Sequence, residues 1–380
     1  MRQHPHRQDR HGVINVLVAF MLIGLLGMAA VAIDIGYLMS AREELQRSCD
    51  SAALAACWEL ASQTANGQSV SDAMASARQT ASTYAGLNDV TNDAPQLATA
   101  NSADGDVVFG YVSDSSNPNS FTTNASEYNA VRVRVRRTDD INGEVPFFLG
   151  PIFGKSGQDT SASATAMLIS SVKGFKEPSG GGNLDILPFA LDIDTWNSYE
   201  AGVGSDDYCY NESTKTVTCG CDGKLEFNLY PQGTGSPGNR GTVDIGSSNN
   251  STNDIARQIT DGISPNDLDD LGKPLELDAN GELELNGDTG ISAGVKDELA
   301  SIIGQRRVIP IFNLVQGPGN NAQFTIVKWV GIRVMDVKLT GKLSGKKLMV
   351  QEAPIEMKGV VPGTSQSYSS SVYSPAFMLK

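Results

Sequence analysis

Residues 12–57 read GVINVLVAFMLIGLLGMAAVAIDIGYLMSAREELQRSCDSAALAAC, and the change of character within this stretch decides how the chain is organised. Its first part, residues 13–33, holds no charge and one strongly polar side chain, Asn15. At about 1.5 Å per residue a helix over this part is about 31 Å long, close to the hydrocarbon thickness of a bilayer. Its Leu, Ile, Val and Phe residues contribute about −5 kcal/mol to insertion. Arg2, Arg7 and Arg10 precede the span and Asp34 closes it. Positive-inside logic therefore places residues 1–12 as a cytoplasmic tail, residues 13–33 as a transmembrane helix, and the rest of the chain outside the cytoplasm.

A cleaved signal peptide is the rival reading, because Ala30-Val31-Ala32 fits a small-x-small cleavage site. The apolar stretch exceeds the usual h-region of about 7–15 residues, however, and the helical pattern runs on through the site. The retained anchor is the better fit. Ala32, Gly36 and Ser40 form a small-residue stripe of the kind that lets helices approach closely, though such residues are ordinary in membrane helices. Asp34 would pair with a partner helix or sit among lipid headgroups, and the headgroups are the favoured reading.

The remaining arithmetic narrows the function. With 380 residues the chain is long enough for two or three domains. It carries 29 Lys and Arg against 43 Asp and Glu, a net charge of −14, which repels phosphate backbones and argues against nucleic acid as a partner. The three histidines are His4, His6 and His11, all ahead of the apolar run. The bulk of the chain thus lacks the imidazole that Ser-His-Asp and Cys-His catalysis require, and the commonest zinc ligand with it.

From residue 35 to about 61 the pattern is one helix continuing out of the bilayer. Leu38, Leu45, Ala52, Ala56 and Leu60 mark its apolar side, and Arg42, Glu43, Glu44 and Arg47 the other. The small residues at 52–56 suit close packing against another surface. Asn66-Gly67 breaks the pattern, and a second alanine-rich helix covers 69–84, with Gly86 as its C-cap. Residues 107–112 read as a strand. VRVRVR at 131–136 alternates with period two, valines on one face and arginines on a solvated face that pairs with nearby acids. Residues 145–154 read as a short apolar helix with Pro near its start, and 160–171 as a small-residue strand. Residues 34–172 thus form a helical stalk with a small α+β unit. KGFKEPSGGGN at 173–183 reads as a linker. A β-rich α+β domain follows over 184–364, with strands at 186–191, 217–219, 225–230, 308–315, 324–337 and 347–351 and helices at 253–262 and 294–303. The serine-rich 365–380 is expected to be a flexible tail.

Motifs that carry chemistry are sparse. Cys49 and Cys57 stand about 12 Å apart along one helix, too far to join each other, and read as packing residues or bridges to something else. Cys209, Cys219 and Cys221 cluster in SDDYCYNESTKTVTCGCDG. A hairpin about 211–215 would bring Cys209 opposite Cys219 or Cys221, so a disulfide is expected there. Zinc on these thiols would need Asp206, Asp207 or Asp222 as a fourth ligand. The glycine-rich 231–238 lacks the Lys-Ser/Thr of a phosphate loop. Asp278-Ala279-Asn280-Gly281-Glu282 has two calcium-loop positions and no third, so it reads as a turn between strands. Asp267, Asp269 and Asp270 read as a solvated helix end. No metal site or cofactor is expected.

The opening stretch resembles the N-terminal region of TadG-like proteins of the Flp (tight adherence, Tad) pilus system. The shared elements are Gly12 before the apolar span, Asp34-x-Gly36, Ala41-Arg42, Leu45-Gln46, and Cys49-Asp50-Ser51-Ala52-Ala53-Leu54-Ala55 in place of an AADAAALA-like string. Similar to the same proteins, more loosely, are 131–135 with Phe147-Phe148 and Ala162-x-Ala164-x-Ala166, and 237–244 with Val308-Ile309-Pro310-Ile311. The resemblance implies a single-pass protein of the bacterial inner membrane. It would take part in pilus assembly or attachment without catalysing a reaction, its partners being the bilayer and other pilus-assembly or envelope proteins. Leu17 stands where prepilins carry the Glu that follows their processing-site Gly by five residues. Asp114-Ser115-Ser116-Asn117-Pro118 fails the Asp-x-Ser-x-Ser spacing of a von Willebrand A-type metal site.

The leading expectation is therefore a positional role. One helix fixes the chain in the bilayer, its extension offers a packing stripe on an interaction helix that carries Arg42, Leu45, Gln46, Asp50, Ala52 and Ala53, and the second domain reaches the filament, channel or envelope. Two alternatives belong to other classes. One is a secreted adhesin or carbohydrate-binding module released after Ala32. The other is an extracytoplasmic hydrolase working through paired carboxylates, which need no histidine.

Overall fold

The computed structural model describes residues 11–66, 68–100, 105–114, 117–123, 128–229, 240–246, 251–290, 292–317, 319–342 and 345–379. The basic tail with Arg2, Arg7 and Arg10, the glycine-rich 231–238, Pro237 to Asn239 of the resembling segment, and Ser115-Ser116 lie outside them. The chain divides into two compact units. One comprises Met1–Ala56, Ala77–Ala166 and Met378–Lys380, the other Cys57–Ser76 and Met167–Phe377.

The first unit is built on α1 (His11–Ala65), a helix of 55 residues with no proline to interrupt it. Its apolar stretch is long enough to cross a membrane. From Ile14 to Met28 its large apolar side chains are exposed, whereas Ala41, Leu45, Cys49, Ala52, Ala53 and Ala56 are buried. Against them lies α2 (Val70–Gly86), which buries Ala77, Ala81 and Ala85 at four-residue intervals. Alanine on both surfaces lets the backbones come close, and the Ser48 hydroxyl donates to the Ala85 carbonyl at 3.1 Å.

The remainder of this unit is a sheet of β1 (Val107–Val112), β2 (Phe121–Thr122), β3 (Ala130–Arg137) and, beyond the hairpin β4 (Val145–Pro146) and β5 (Gly157–Gln158), β6 (Thr160–Met167). The order is β2-β1-β3-β6, completed by the C-terminal strand Phe377–Met378. The alternation expected in β3 is present: Val131, Val133 and Val135 are buried, and Arg134 and Arg136 pair with Asp106 at 3.3 and 2.8 Å. Residues 145–154 are not the apolar helix expected of them. Pro146 sits in a two-residue strand, and the run beyond it makes one 3-10 turn, Gly150–Phe153, which Gly154 ends at φ +80°.

In the second unit, β7 (Val172–Phe175) pairs with two later strands, so the expected linker begins inside a sheet. Val172 and Phe175 are buried apolar residues that a linker composition hid. Then come β8 (Phe189–Asp192), α3 (Ile193–Glu200), β9 (Tyr208–Asn211), β10 (Thr216–Cys219), β11 (Glu226–Asn228), β12 (Arg240–Val243), α4 (Thr252–Asp261), α5 (Pro265–Leu271), β13 (Leu275–Glu276), β14 (Leu283–Asp288), α6 (Lys296–Ser301), β15 (Arg306–Gln316), β16 (Ala322–Lys338) and β17 (Lys347–Glu352). Strand pairing runs β16-β14-β12-β8-β15 and returns to β16, closing a five-stranded ring, with β17 and β11 continuing outward from the second half of β16. The long strands bury both faces. In β15, Val308 and Phe312 enter one core with Phe324 and Trp329. Ile309 and Ile311 enter another with Trp196, Ile332 and Val350.

The expected flexible tail is ordered instead. After β18 (Ile355–Glu356) and β19 (Val360–Pro362), β20 (Ser369–Ser370) pairs with β16 and β21 (Val372–Tyr373) with β18. Serine hydroxyls take over where apolar contacts are few: Ser369 donates to the Ser170 carbonyl and accepts from the Val172 N–H. Asp267 is likewise no solvated helix end. It is buried at the start of α5 in a capping box with Ser264 and binds Arg257. Asp278 does form the expected turn between strands, accepting from the N–H groups of Asn280 and Glu282.

Candidate functional site

The polar residue that closes an apolar helix must find partners or water. Asp34 finds partners. It is 6% exposed, and its carboxylate accepts from the Phe148 N–H at 2.8 Å and the Leu149 N–H at 3.2 Å. Leu149 is the N-cap of the Gly150–Phe153 turn and lacks a side-chain cap of its own; Asp34 supplies a negative charge there from another element. Asp34 thus fastens the helix to the β4–β5 hairpin within the chain. Tyr37, one turn further on, packs edge-to-face on Phe148 with ring centroids 4.8 Å apart. Ala30, one turn earlier, is buried.

The residues predicted as an interaction stripe lie along the same helix and are used within the chain. Arg42 Nε donates to Thr160 Oγ1 at 3.3 Å and Gln46 Nε2 to Asp50 at 2.7 Å. Leu45, Ala52 and Ala53 are fully buried. Glu44 accepts from the Thr91 N–H. The Cys49 thiol donates to the Ala162 carbonyl, and burial pushes its pKa up to about 12, so this thiol is a packing group rather than a nucleophile. Leu45, Ala52 and Ala53 are thus covered within the chain, whereas Arg42 and Gln46 stay exposed; helical periodicity cannot say whether a covering surface belongs to the chain or to a partner. Gly12 opens α1, and the face with Ala32, Gly36 and Ser40 is open.

The expected disulfide is absent. In the β9–β10 ribbon Cys209 stands opposite Thr218 and Cys219 opposite Tyr208. Cys209 and Cys219 therefore point to opposite faces of the ribbon, and Cys209, Cys219 and Cys221 are all free. Among the described residues no group of three or more His, Cys, Asp or Glu could hold a metal ion. Three carboxylates of the second unit, Glu226, Asp336 and Glu212, are engaged structurally. Glu226, raised by burial, accepts from the N–H groups of Asp207 and Tyr208. Asp336 pairs with Lys347. In a polar cleft lined by Tyr210, Glu212, Arg306 and Arg333, Glu212 binds both guanidiniums at 3.0 Å, and Arg333 stacks 3.4 Å over the Tyr210 ring. One carboxylate thus serves two guanidiniums, and with Lys224 and Asp222 also in the lining the cleft holds three cations against two acids.

The sequence reading misses the hairpin partner of the apolar helix. Phe148, Ile152 and Phe153 are exposed within an uncharged run, FFLGPIFG at 147–154. That run was the available signal, read as a short helix instead of an apolar loop.

Two family models match the chain. Residues 12–79 match the Flp pilus-assembly TadE/G-like family, and residues 55–166 match the Tad-like Flp pilus-assembly family. Together they cover the helix with its Asp34 fastening, the hairpin and the sheet of the first unit up to β6. No curated protein and no solved structure matches the chain.

Proposed function

We propose that this chain, whose residues 12–166 match Flp pilus-assembly family models, is a TadG-like, non-catalytic assembly component held in the bacterial inner membrane by residues 13–33. Residues 1–12 lie in the cytoplasm and both folded units outside it. It works by position and by contact with other pilus-assembly or envelope proteins, and needs no cofactor or nucleic acid.

The observation that carries this reading is the division of labour within α1. Its first half presents bare apolar side chains, and its second half is built into a folded unit without a break. A bare apolar helix of this length is at home in lipid. The same continuity favours anchor over signal peptide. Ala30-Val31-Ala32 is helical, Ala30 is buried, and cleavage after Ala32 would leave Asp34 as the second residue of the new chain. Glu212, Asp267 and Asp336 in the second unit are tied into ion pairs with Arg306 and Arg333, Arg257 and Lys347, which supports a binding and positioning role over carboxylate hydrolysis.

The test is an immunoblot of C-terminally tagged protein after mechanical shearing of cells, with membrane and sheared-filament fractions run beside a full-length standard. Full-length protein confined to the membrane is expected, with pili lost in a deletion strain. A shortened band in the sheared or soluble fraction would overturn the anchor and favour the secreted adhesin.

A further inference from the structure

The β4–β5 hairpin holds a loop beside α1 whose side chains find no cover among the described residues. Phe148 is 64% exposed, Ile152 75% and Phe153 61%. These three project from one uncharged run, 147–154, bounded by Glu144 and Lys155. The loop descends along the helix. The Phe148 ring meets Tyr37, and the Phe153 ring reaches within 4.0 Å of where a Cβ on Gly27 would stand. Gly27 lies seven residues before Asp34, about 10 Å down the helix axis. A bilayer that covers the exposed side chains of α1 at the level of Gly27 therefore covers Phe153 as well.

We infer that the Phe147 to Gly154 loop is a second membrane contact, a wedge that enters the outer half of the bilayer beside the anchor helix, with the acyl chains of lipids as its occupant. This rests on the anchor reading of residues 13–33. Three further features fit the bilayer. The loop's apolar surface is continuous with that of the helix, so one apolar phase serves both. Backbone that enters hydrocarbon must bring its hydrogen-bond partners along, and most N–H groups of this loop have theirs. The N–H groups of Phe148 and Leu149 go to Asp34, Phe147 to the Ser156 carbonyl, Ile152 to Leu149, Gly154 to Pro151 and Lys155 to Gly150. Pro151 has no N–H to satisfy. Gly150 allows the tight turn, since a Cβ there would stand 2.5 Å from the Lys155 carbonyl. Finally, the exposed Lys155 follows the apolar run, where a long cationic side chain can stretch to the headgroups.

The test uses the full chain in proteoliposomes of phosphatidylcholine and phosphatidylglycerol, with or without tail-brominated phosphatidylcholine, which quenches tryptophan on contact. Phe153→Trp replaces an exposed aromatic by another, and Leu25→Trp marks the helix itself. The emission of the native Trp58, Trp196 and Trp329 is subtracted using the unsubstituted protein. Expected is a blue-shifted added emission in both variants, most of it lost with brominated lipid. Quenching of Leu25→Trp without quenching of Phe153→Trp would overturn the wedge and leave the anchor standing, as when a second copy or another protein covers the loop. Quenching of neither would overturn the anchor and the wedge together.

Discussion

Replacing Asp34 by alanine removes the carboxylate that receives two backbone N–H groups of the hairpin loop. Hydrogen bonds to a charged group contribute about 1.5–3 kcal/mol each, and a buried donor left without a partner keeps its desolvation cost. Both donors lose their acceptor at once, and the site is nearly closed to water, with Asp34 6% exposed. The loop should therefore detach from the helix at a cost of about 3 kcal/mol, the low end of the sum. A domain is stable by only about 5–15 kcal/mol, so the change is large locally without unfolding the unit. Hydrogen exchange by mass spectrometry on the full chain, wild type and variant in the same micelles, reads it directly. If local opening governs exchange, about 3 kcal/mol corresponds to about a hundredfold faster exchange at Phe148 and Leu149. Asp34→Asn keeps the shape and one acceptor but loses the charge, and should fall between wild type and Asp34→Ala. Unchanged protection at both amides in Asp34→Ala would show that the loop is held by the Tyr37–Phe148 contact and β4–β5 pairing alone, refuting the fastening role.

Three other outcomes follow from the packing. At neutral pH a maleimide should label the exposed Cys219 and Cys221 in the folded chain and spare Cys49, whose thiol burial holds at about 12; equal labelling of Cys49 in a peptide map would contradict its burial. Ala81→Leu adds bulk where Ala81 is fully buried and should cost about 1–3 kcal/mol, seen as a lower thermal midpoint by helical circular dichroism; an unchanged midpoint would mean that the stripe tolerates space. For Asp267, burial raises the carboxyl, but hydrogen bonds from Arg257 and Ser264 outweigh it and hold the folded value below the ordinary one. Its contribution is thus full above the unfolded carboxylate range and lost as the pH falls through the folded value. Asp267→Asn should be less stable at neutral pH and lack that acid-side loss in urea titrations followed by tryptophan fluorescence; a variant with the same acid-side slope as the wild type would assign it to another group.

Where a segment's partner is water, lipid or its own helical neighbours, local pattern was enough. The apolar run to Ile33, the helix through the alanines at 52 and 53, the valine-arginine alternation of β3 and the unbroken apolar runs of β15 and β16 all carry their burial in their spacing. Short strands carry little such signal. Arg240 to Val243 and Leu283 to Asp288 are mixed in character, and they become strands because they bridge β8 to β16 and close the ring. The serine-rich end reads as loose because hydroxyl-to-backbone bonds leave no periodic trace.

Composition and periodicity alone settle that an apolar helix opens the chain, that an alanine stripe follows it, and that acidic, histidine-free α+β segments lie beyond. They depend on each residue's own affinity for water and on 3.6- or two-residue repeats, both of which are local. Folding settles what each face meets. Asp34 binds a loop more than a hundred positions away, the stalk's stripe is covered by α2 and β6, and Cys209 and Cys219 stay apart because one residue of register turns a side chain to the opposite face. Contacts of that kind join residues distant in the chain, and no single segment's pattern records them.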